Sequence, residues 1–418
     1  MNILLKSATI LDEDNQGLHQ KVRDIWIKNG NIEKIGATVK ADSKTRVISL
    51  PNLHVSKGWI DSSVSFGEPG FEERETLANG IKVAAYSGFT DIVLNPNTRP
   101  IPDTSGDVVF LLKTAGEKGA RVHPIGALTM ESAGHSLAEL YDMKNAGAVA
   151  FYDFKMPVIN SNLFKISLQY VQGFNGMVLS YPMDSSIAAN GMVNEGAMST
   201  KLGLKGIPAL AEELQIARDL FILEYTGGKL HIPTISTAKA VTLIGEAKKK
   251  GLDVSCSVAL HNLCFTDEFL EEFETNYKVL PPLRSKKDAE ALKRGLKNGV
   301  IDMVTTDHLP IDIEEKRIEF DHAAFGSIGL ESAFGILNTI FDTETSIRLL
   351  TKGRERFGIT AVSLKEGQPA NLSLFTPEGK SEIKKENLRS TSKNSMYIGQ
   401  RGKGSVYGVI VNNQLLLA

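Results

Sequence analysis

The stretch Gly58–Pro96, GWIDSSVSFGEPGFEERETLANGIKVAAYSGFTDIVLNP, decides the fold. It opens on a short apolar run, Trp59-Ile60-Asp61, and closes on another, TDIVLNP. Between them, ETLANGIKVAAYSG sets apolar residues at helical spacing and stops on Gly88. Strand, helix, strand in that order is the unit of a parallel α/β sheet. The unit recurs down the chain. Strand-like runs follow in VHPIGAL near 124, AVAFYD near 151, GMVLSY near 178, KLHIPTIS near 232, VSCSVAL near 257 and VIDMVTTDH near 304. Helical patterns lie between most of them. One is STAKAVTLIGEAKKKG, with Ser236 and Thr237 as N-cap candidates and a lysine-rich end that suits the helix dipole. Eight such strands over about 300 residues predict a (β/α)8 barrel. A doubly wound sheet is the alternative, but no GxGxxG follows the first strand.

The two ends of the chain read differently. ILLKSATIL and IWIKNGNIEKIG at the start are strand-like, the second turning at Asn29-Gly30. ANLSLFTP and GVIVNNQLLLA at the end are also strand-like, with a turn at Asn412-Asn413. Both ends are therefore expected to build one small β-sandwich domain. Residues 1–52 and 361–418 form it, and 53–360 form the barrel.

Composition excludes several classes. The chain has 418 residues, is 42% hydrophobic and 23% charged, and carries a formal net charge of -2. That is the balance of a soluble globular protein. No basic patch predicts a nucleic-acid partner. No apolar run reaches the roughly 20 residues of a membrane helix, and the N-terminus does not read as a signal peptide. A cytoplasmic protein is expected. The two cysteines, Cys256 and Cys264, form no zinc-type CxxC pair and are expected to be reduced thiols.

In a (β/α)8 barrel the chemistry sits at the C-terminal strand ends. Here those ends carry Asp61, Ser63, Ser65, Asn95, Asn97, Asp153, Ser180, Thr234, the run 259–262 and Asp307-His308. It is a ring of small polar residues with few titratable groups.

Seven segments, in order, carry a resemblance: EPGFEERETLANGIKVAAYSGFT, NPNTRPIPDT, GMVNEGAMSTKLGLKGIPALAEELQIARD, LPPLRSKKDAEALKRGL, TTDHLP, EFDHAAFGSIGLESAF and NLRSTSKNSMYIGQRGKGSVYGVIV. The chain resembles the dihydroorotases of the cyclic amidohydrolase superfamily, of the kind that associates with aspartate transcarbamoylase. The likeness runs nearly end to end. It implies a barrel with a small β domain from both termini, and zinc-assisted hydrolysis or closure of a cyclic amide. The ligands it implies are an HxH pair on strand one, an acid or carboxylated lysine on strand four, histidines on strands five and six, and an aspartate on strand eight.

Carried over residue by residue, that set is mostly lost. The HxH positions fall on Ser63 and Ser65, the strand-five histidine on Ser180 and the strand-six histidine on Thr234. Asp153 and Asp307 remain, the latter at the general acid/base position. Of the substrate positions, Asn97 is retained. The arginine falls on Gly67, an asparagine on Leu280 and a histidine on Ile311. Hydroxyls are poor zinc ligands, and glycine cannot replace a bidentate clamp. The resemblance therefore implies a zinc-free pseudoenzyme, with no other cofactor. Its expected partner is the aspartate transcarbamoylase catalytic chain, and the protein itself is expected to be a homo-oligomer such as a homodimer. The alternatives are an active cyclic amidohydrolase with an unusual site on Asp153 and Asp307, where oxygen ligands suit Mg²⁺ or Ca²⁺, and an emptied pocket that binds an effector. His123, His231, His261 and His308 are expected to be hydrogen-bonded structural residues. Asp153 and Lys155, two apart, are expected to pair or to be solvated. A Ser–His–Asp triad on Ser63 or Ser65 is disfavoured, because Asp307 and His308 are adjacent and face opposite ways.

Overall fold

The computed structural model describes residues 1–360 and 362–418. The expected start of the C-terminal segment, residue 361, lies outside the described residues. Five strands precede the barrel: β1 (Asn2–Leu11), β2 (Val22–Lys28), β3 (Asn31–Gly36), β4 (Arg46–Ile48) and β5 (His54–Lys57). The barrel staves are β6 (Trp59–Val64), β7 (Phe89–Leu94), β8 (Arg121–Pro124), β9 (Val178–Leu179), β12 (Leu230–Ile232), β13 (Val254–Ala259) and β14 (Met303–Thr305). A small parallel pair, β10 (Val193–Asn194) with β11 (Gly206–Ile207), sits in the loop after β9. Three strands end the chain: β15 (Leu372–Glu382), β16 (Arg401–Val411) and β17 (Gln414–Leu417).

The staves pair in parallel as β6-β7-β8 and β9-β12-β13-β14. Single bridges complete the ring. Phe151 links Gly126 to Val178, and Val64 meets His308. Asp153 thus follows a one-bridge stave rather than a full strand. The fold is a closed (β/α)8 barrel, as the strand count predicts.

Period-2 alternation sorts the side chains. Ile60, Val93, Leu179, Tyr181 and Met303 fall in one buried cluster inside the ring. Ile92, Val178, Leu230, Ile232, Val254 and Val258 fall in another, between staves and helices. The helices are α1 (Leu77–Tyr86), α2 (Ser105–Ala115), α3 (Leu140–Ala146), α4 (Ser161–Gln172), α5 (Ser185–Ala188), α6 (Ala197–Leu202), α7 (Ala209–Thr226), α8 (Ala238–Lys249), α9 (Leu260–Cys264), α10 (Lys286–Lys297), α11 (Ile313–Lys316), α12 (Ala333–Ile340) and α13 (Thr343–Thr351). α1 and α8 are the two helices read from periodicity. Thr237 caps α8, its side chain accepting from the Ala240 amide at 3.1 Å.

Strands from both ends build one eight-stranded sheet, β17-β16-β15-β5-β1-β2-β3, with β4 alongside β1. It encloses its own core of Ile3, Leu5, Ile25, Val55, Leu374 and Ile410. Both expected turns are present. Asn29 and Gly30 have φ of 50° and 83°, and Asn412 and Asn413 have φ of 50° and 56°. Those are the positive values a type I′ hairpin needs. β5 pairs with β15, so the sheet extends past residue 52 to Lys57. Gly58 then passes the chain straight into the first stave.

Candidate functional site

The barrel mouth centres on Asp307, which follows β14. Its Oδ2 accepts from Lys155 Nζ at 2.8 Å, and its Oδ1 from Ser63 Oγ at 3.2 Å. Both partners are nearly sealed, with 11% of the Lys155 side chain and 3% of that of Asp307 exposed. Burial pushes the Asp307 carboxyl up, while the Lys155 charge and the Ser63 bond pull it down. Asn95, at the end of β7, donates through Nδ2 to both Ser63 Oγ and Ser65 Oγ at 3.1 Å. The two hydroxyls on the first stave are thus joined in one hydrogen-bonded network with Asp307.

Asp153 faces elsewhere. Its Oδ1 accepts from the amides of Leu128 and Thr129 at 2.9 Å, and its Oδ2 from Thr129 Oγ1 at 2.6 Å. Burial raises its carboxyl as well, against those bonds. The expected pairing of Asp153 with Lys155 is not what forms. A turn follows Asp153, with Lys155 at φ 55°, so the two residues do not share a strand face. The lysine amine swings across the mouth to Asp307 instead.

The position taken for the strand-five histidine also needs correction. Ser180 lies between two inward residues and turns outward, its Oγ donating to Asp219 Oδ2 on α7 at 2.6 Å. Tyr181 points inward in its place. It is fully buried, and its hydroxyl has no hydrogen-bond partner in the protein. Burial holds the phenol well above its ordinary range, reinforced by the nearby carboxylates of Asp307 and Glu212. Beside it Arg284 is buried, donating to Ser236 Oγ, Asn194 Oδ1 and the Ile207 carbonyl. Tyr181 and Arg284 were not singled out from the sequence as site residues. Strict alternation from Leu179 would have found the tyrosine. Thr234 sits at φ 48°, its amide donating to Ser257 Oγ at 3.2 Å.

The substrate-side positions are closed by packing. A Cβ on Gly67 would lie 1.8 Å from the Phe71 carbonyl oxygen, because the loop after β6 folds back on itself. Gly67 donates to the Glu75 carbonyl and accepts from the Phe71 amide, both at 2.8 Å. No arginine fits there without rebuilding the loop. Leu280 packs against the cluster inside the ring. Ile311 is buried, its amide donating to Asn394 Oδ1 at 3.2 Å. Asn97 is half-buried, its Oδ1 without a partner in the protein.

Three of the histidines are fully buried. Burial lowers His231, His261 and His308 to about 3. His231 contacts Ser255 Oγ and Ser257 Oγ, and His308 Nδ1 accepts from the Gly329 and Leu330 amides. His123 Nε2 lies 2.8 Å from Asp91, at the far end of the barrel. His261 departs from the expected pattern, since its Nε2 is buried and unpartnered. His308 turns away from Ser63, and no Ser–His–Asp relay forms. Asp61 accepts from Ser63 N, Thr306 N and the hydroxyls of Thr305 and Thr306. Burial raises its carboxyl to about 6.

These donors do not fit a zinc ion. Zinc takes nitrogen, thiolate or carboxylate in a tetrahedral set. Among the described residues, no group of three or more His, Cys, Asp or Glu is placed to hold a metal. The two retained carboxylates look different ways, and each is already occupied by protein donors. Four further positions at the mouth offer hydroxyls.

Comparison with known proteins places this geometry. The Dihydro-orotase-like family matches residues 53–240. A protein named Dihydroorotase from Pelotomaculum thermopropionicum is 39% identical over all of this chain and 99% of its own length. One of the same name from Geobacter metallireducens is 36% identical, with the same coverage. Among solved structures, the L-hydantoinase (dihydropyrimidinase) of Arthrobacter aurescens superposes with a TM-score of 0.86 at 21% identity, covering 100% of this chain and 96% of that one. The dihydropyrimidinase of Brevibacillus agri reaches 0.82 at 19% identity, over 100% and 95%. At those identities the structures speak for the fold. No helix is long and apolar enough to cross a membrane among the described residues.

Proposed function

Starting from the premise that this chain belongs to the dihydroorotase family, we propose that it is a metal-free member whose role is structural. It serves pyrimidine biosynthesis as a scaffold for the aspartate transcarbamoylase catalytic chain, in the cytoplasm. The observation that carries this reading is the Lys155–Asp307 pair, with an ammonium 2.8 Å from the strand-eight carboxylate. A lysine nitrogen so placed supplies positive charge to that carboxylate and leaves no lone pair for a metal. The burial of Lys155 and Asp307, the loop folded back at Gly67 where an arginine would not fit, and the inward Tyr181 support the same reading.

Two measurements test it. Elemental analysis of the purified protein is expected to give well under one equivalent of zinc, and dihydroorotate hydrolysis is expected to be absent at any added metal. Co-expression with the aspartate transcarbamoylase chain of the same organism, followed by sizing, is expected to give a mixed complex. Stoichiometric zinc with turnover would instead establish the second reading, an active cyclic amidohydrolase with an atypical site. The name shared by the relatives favours that reading.

A further inference from the structure

A cavity of about 330 Å³ lies where the small sheet meets the underside of the barrel. Its walls come from the end of β1 and the turn after it, from Lys57-Gly58 where the chain passes into the first stave, and from α13 with the turn that follows. This is the N-terminal end of the staves, opposite Asp307, so binding there is independent of what the barrel mouth does. Volumes from about 300 Å³ upward suit small-molecule ligands. Most charged groups in these walls are already spent. Lys57 Nζ lies 3.1 Å from Asp12 Oδ1 and also pairs with Asp14. Arg354 is bound to Asp91. Glu344 turns to His19 and Gln20. Two side chains are left over. Arg348, one turn after Glu344 on α13, makes no side-chain hydrogen bond and no salt bridge among the described residues, and its Nε is buried without a partner. Asn371 is 6% exposed, and its Oδ1 is likewise unpartnered. That oxygen is sealed against Gly58, where a Cβ would lie 2.0 Å from it. The Asn371 amide nitrogen, also unbonded among the described residues, is the atom left accessible from the cavity. Buried polar groups are hydrogen-bonded as a rule. Two unspent donors in the walls of one cavity therefore point to an acceptor from outside the chain.

We propose that this cavity binds an α-amino acid, its carboxylate held by Arg348 and Asn371 and its ammonium by the acidic part of the wall. The planar guanidinium offers a carboxylate two parallel donors, and the Asn371 amide adds a third. Charge balance selects against stronger anions. The lining sets Asp12, Glu13, Asp14, Glu344 and Glu355 against Lys57, Arg348, Lys352 and Arg354. A phosphate dianion or a nucleotide meets a wall with no positive charge to spare beyond Arg348 and Lys352, whereas a zwitterion brings no net charge. The C-terminal end of α13, at Thr351, borders the cavity and places the negative end of the helix dipole there. That end, with the exposed Glu13 and Glu355, suits an ammonium.

The test is thermal melting of the full chain with each L-α-amino acid in turn. At about 10 mM ligand, a dissociation constant of about 0.1 mM gives an upward shift of about 4 °C. At least one amino acid is expected to reach that shift. Propionate and ethylamine, which carry one charge each, are expected to give none. Arg348→Gln is expected to weaken the best ligand by about tenfold or more in calorimetric titration, while the free variant melts with the wild type because the guanidinium holds no partner in the protein. Asn371→Asp keeps the side-chain shape, sets a carboxylate against that of the ligand, and is expected to abolish the shift. A panel without any shift, an equal shift from propionate, or a shift that survives Arg348→Gln would overturn the proposal.

Discussion

Replacing Lys155 with methionine removes the cation from Asp307 and keeps the apolar stem. At 2.8 Å, and with an effective dielectric constant near 20, the pair attracts by about 6 kcal/mol. Ser63 still donates to the carboxylate in the variant, and the carboxyl can take up a proton. The expected cost is therefore nearer the 3–5 kcal/mol typical of removing one partner of a buried pair. The cost depends on pH in a definite direction. Burial already raises the Asp307 carboxyl, and Lys155 is the largest influence opposing that rise. Without the lysine the folded carboxyl titrates higher still, while the unfolded one stays near 3.9. A carboxyl raised in the folded state loses stability as pH climbs from about 4 through its folded value. The deficit of Lys155→Met should therefore be small at pH 5 and large at pH 8. Thermal melting by circular dichroism, at about 2 °C per kcal/mol for a large domain, should show a fall of up to about 10 °C at pH 8. The double variant Lys155→Met/Asp307→Asn should recover much of that loss. A Lys155→Met protein that melts with the wild type at pH 8, or a double variant that merely adds the two single losses, would refute the argument.

Three further outcomes follow from the same geometry. Gly67→Ala, a single added methyl group, should destabilise the loop after β6 by about 1–3 kcal/mol, because its Cβ meets the Phe71 carbonyl; an unchanged melting temperature would show that the loop is not tight. His308→Asn keeps an acceptor for the Gly329 and Leu330 amides but cannot titrate. Since burial depresses His308 to about 3, the wild type loses stability as pH falls below about 6.5, and the variant should gain on it by about 1.4 kcal/mol per pH unit; parallel pH profiles would contradict a buried neutral ring. Restoring histidine at 63, 65, 181 and 234 should raise zinc content when Lys155 is also removed. The same set with position 180 in place of 181 should not, because that side chain points to α7; equal zinc in both sets would place Ser180 in the mouth.

Much of the architecture was legible because it rests on periodicity. The apolar runs of β6, β7 and β13 and the helical spacing of α1 and α8 survive in the fold with little shift. So do the Asn29-Gly30 and Asn412-Asn413 turns, where the residue types answer a backbone requirement. The site was less legible wherever regular structure stops. β9 is two residues long, so reading Ser180 as an inward position had no strand to anchor it. The rule that residues two apart share a face failed at Asp153 and Lys155 for the same reason, since a turn intervenes. The bond from Lys155 to Asp307 joins residues 152 apart. No local pattern reports such a contact.

The ammonium at the barrel mouth has a consequence beyond stability. A metal ion is a borrowed charge, exchanged with the medium, lost to chelators and replaced by whichever competitor is abundant. The charge on Lys155 is attached to the backbone and arrives with translation. On the metal-free reading proposed above, the electrostatic balance around Asp307 is the same in a zinc-starved cell as in a zinc-replete one. Any assembly that leans on this barrel inherits that indifference to metal supply.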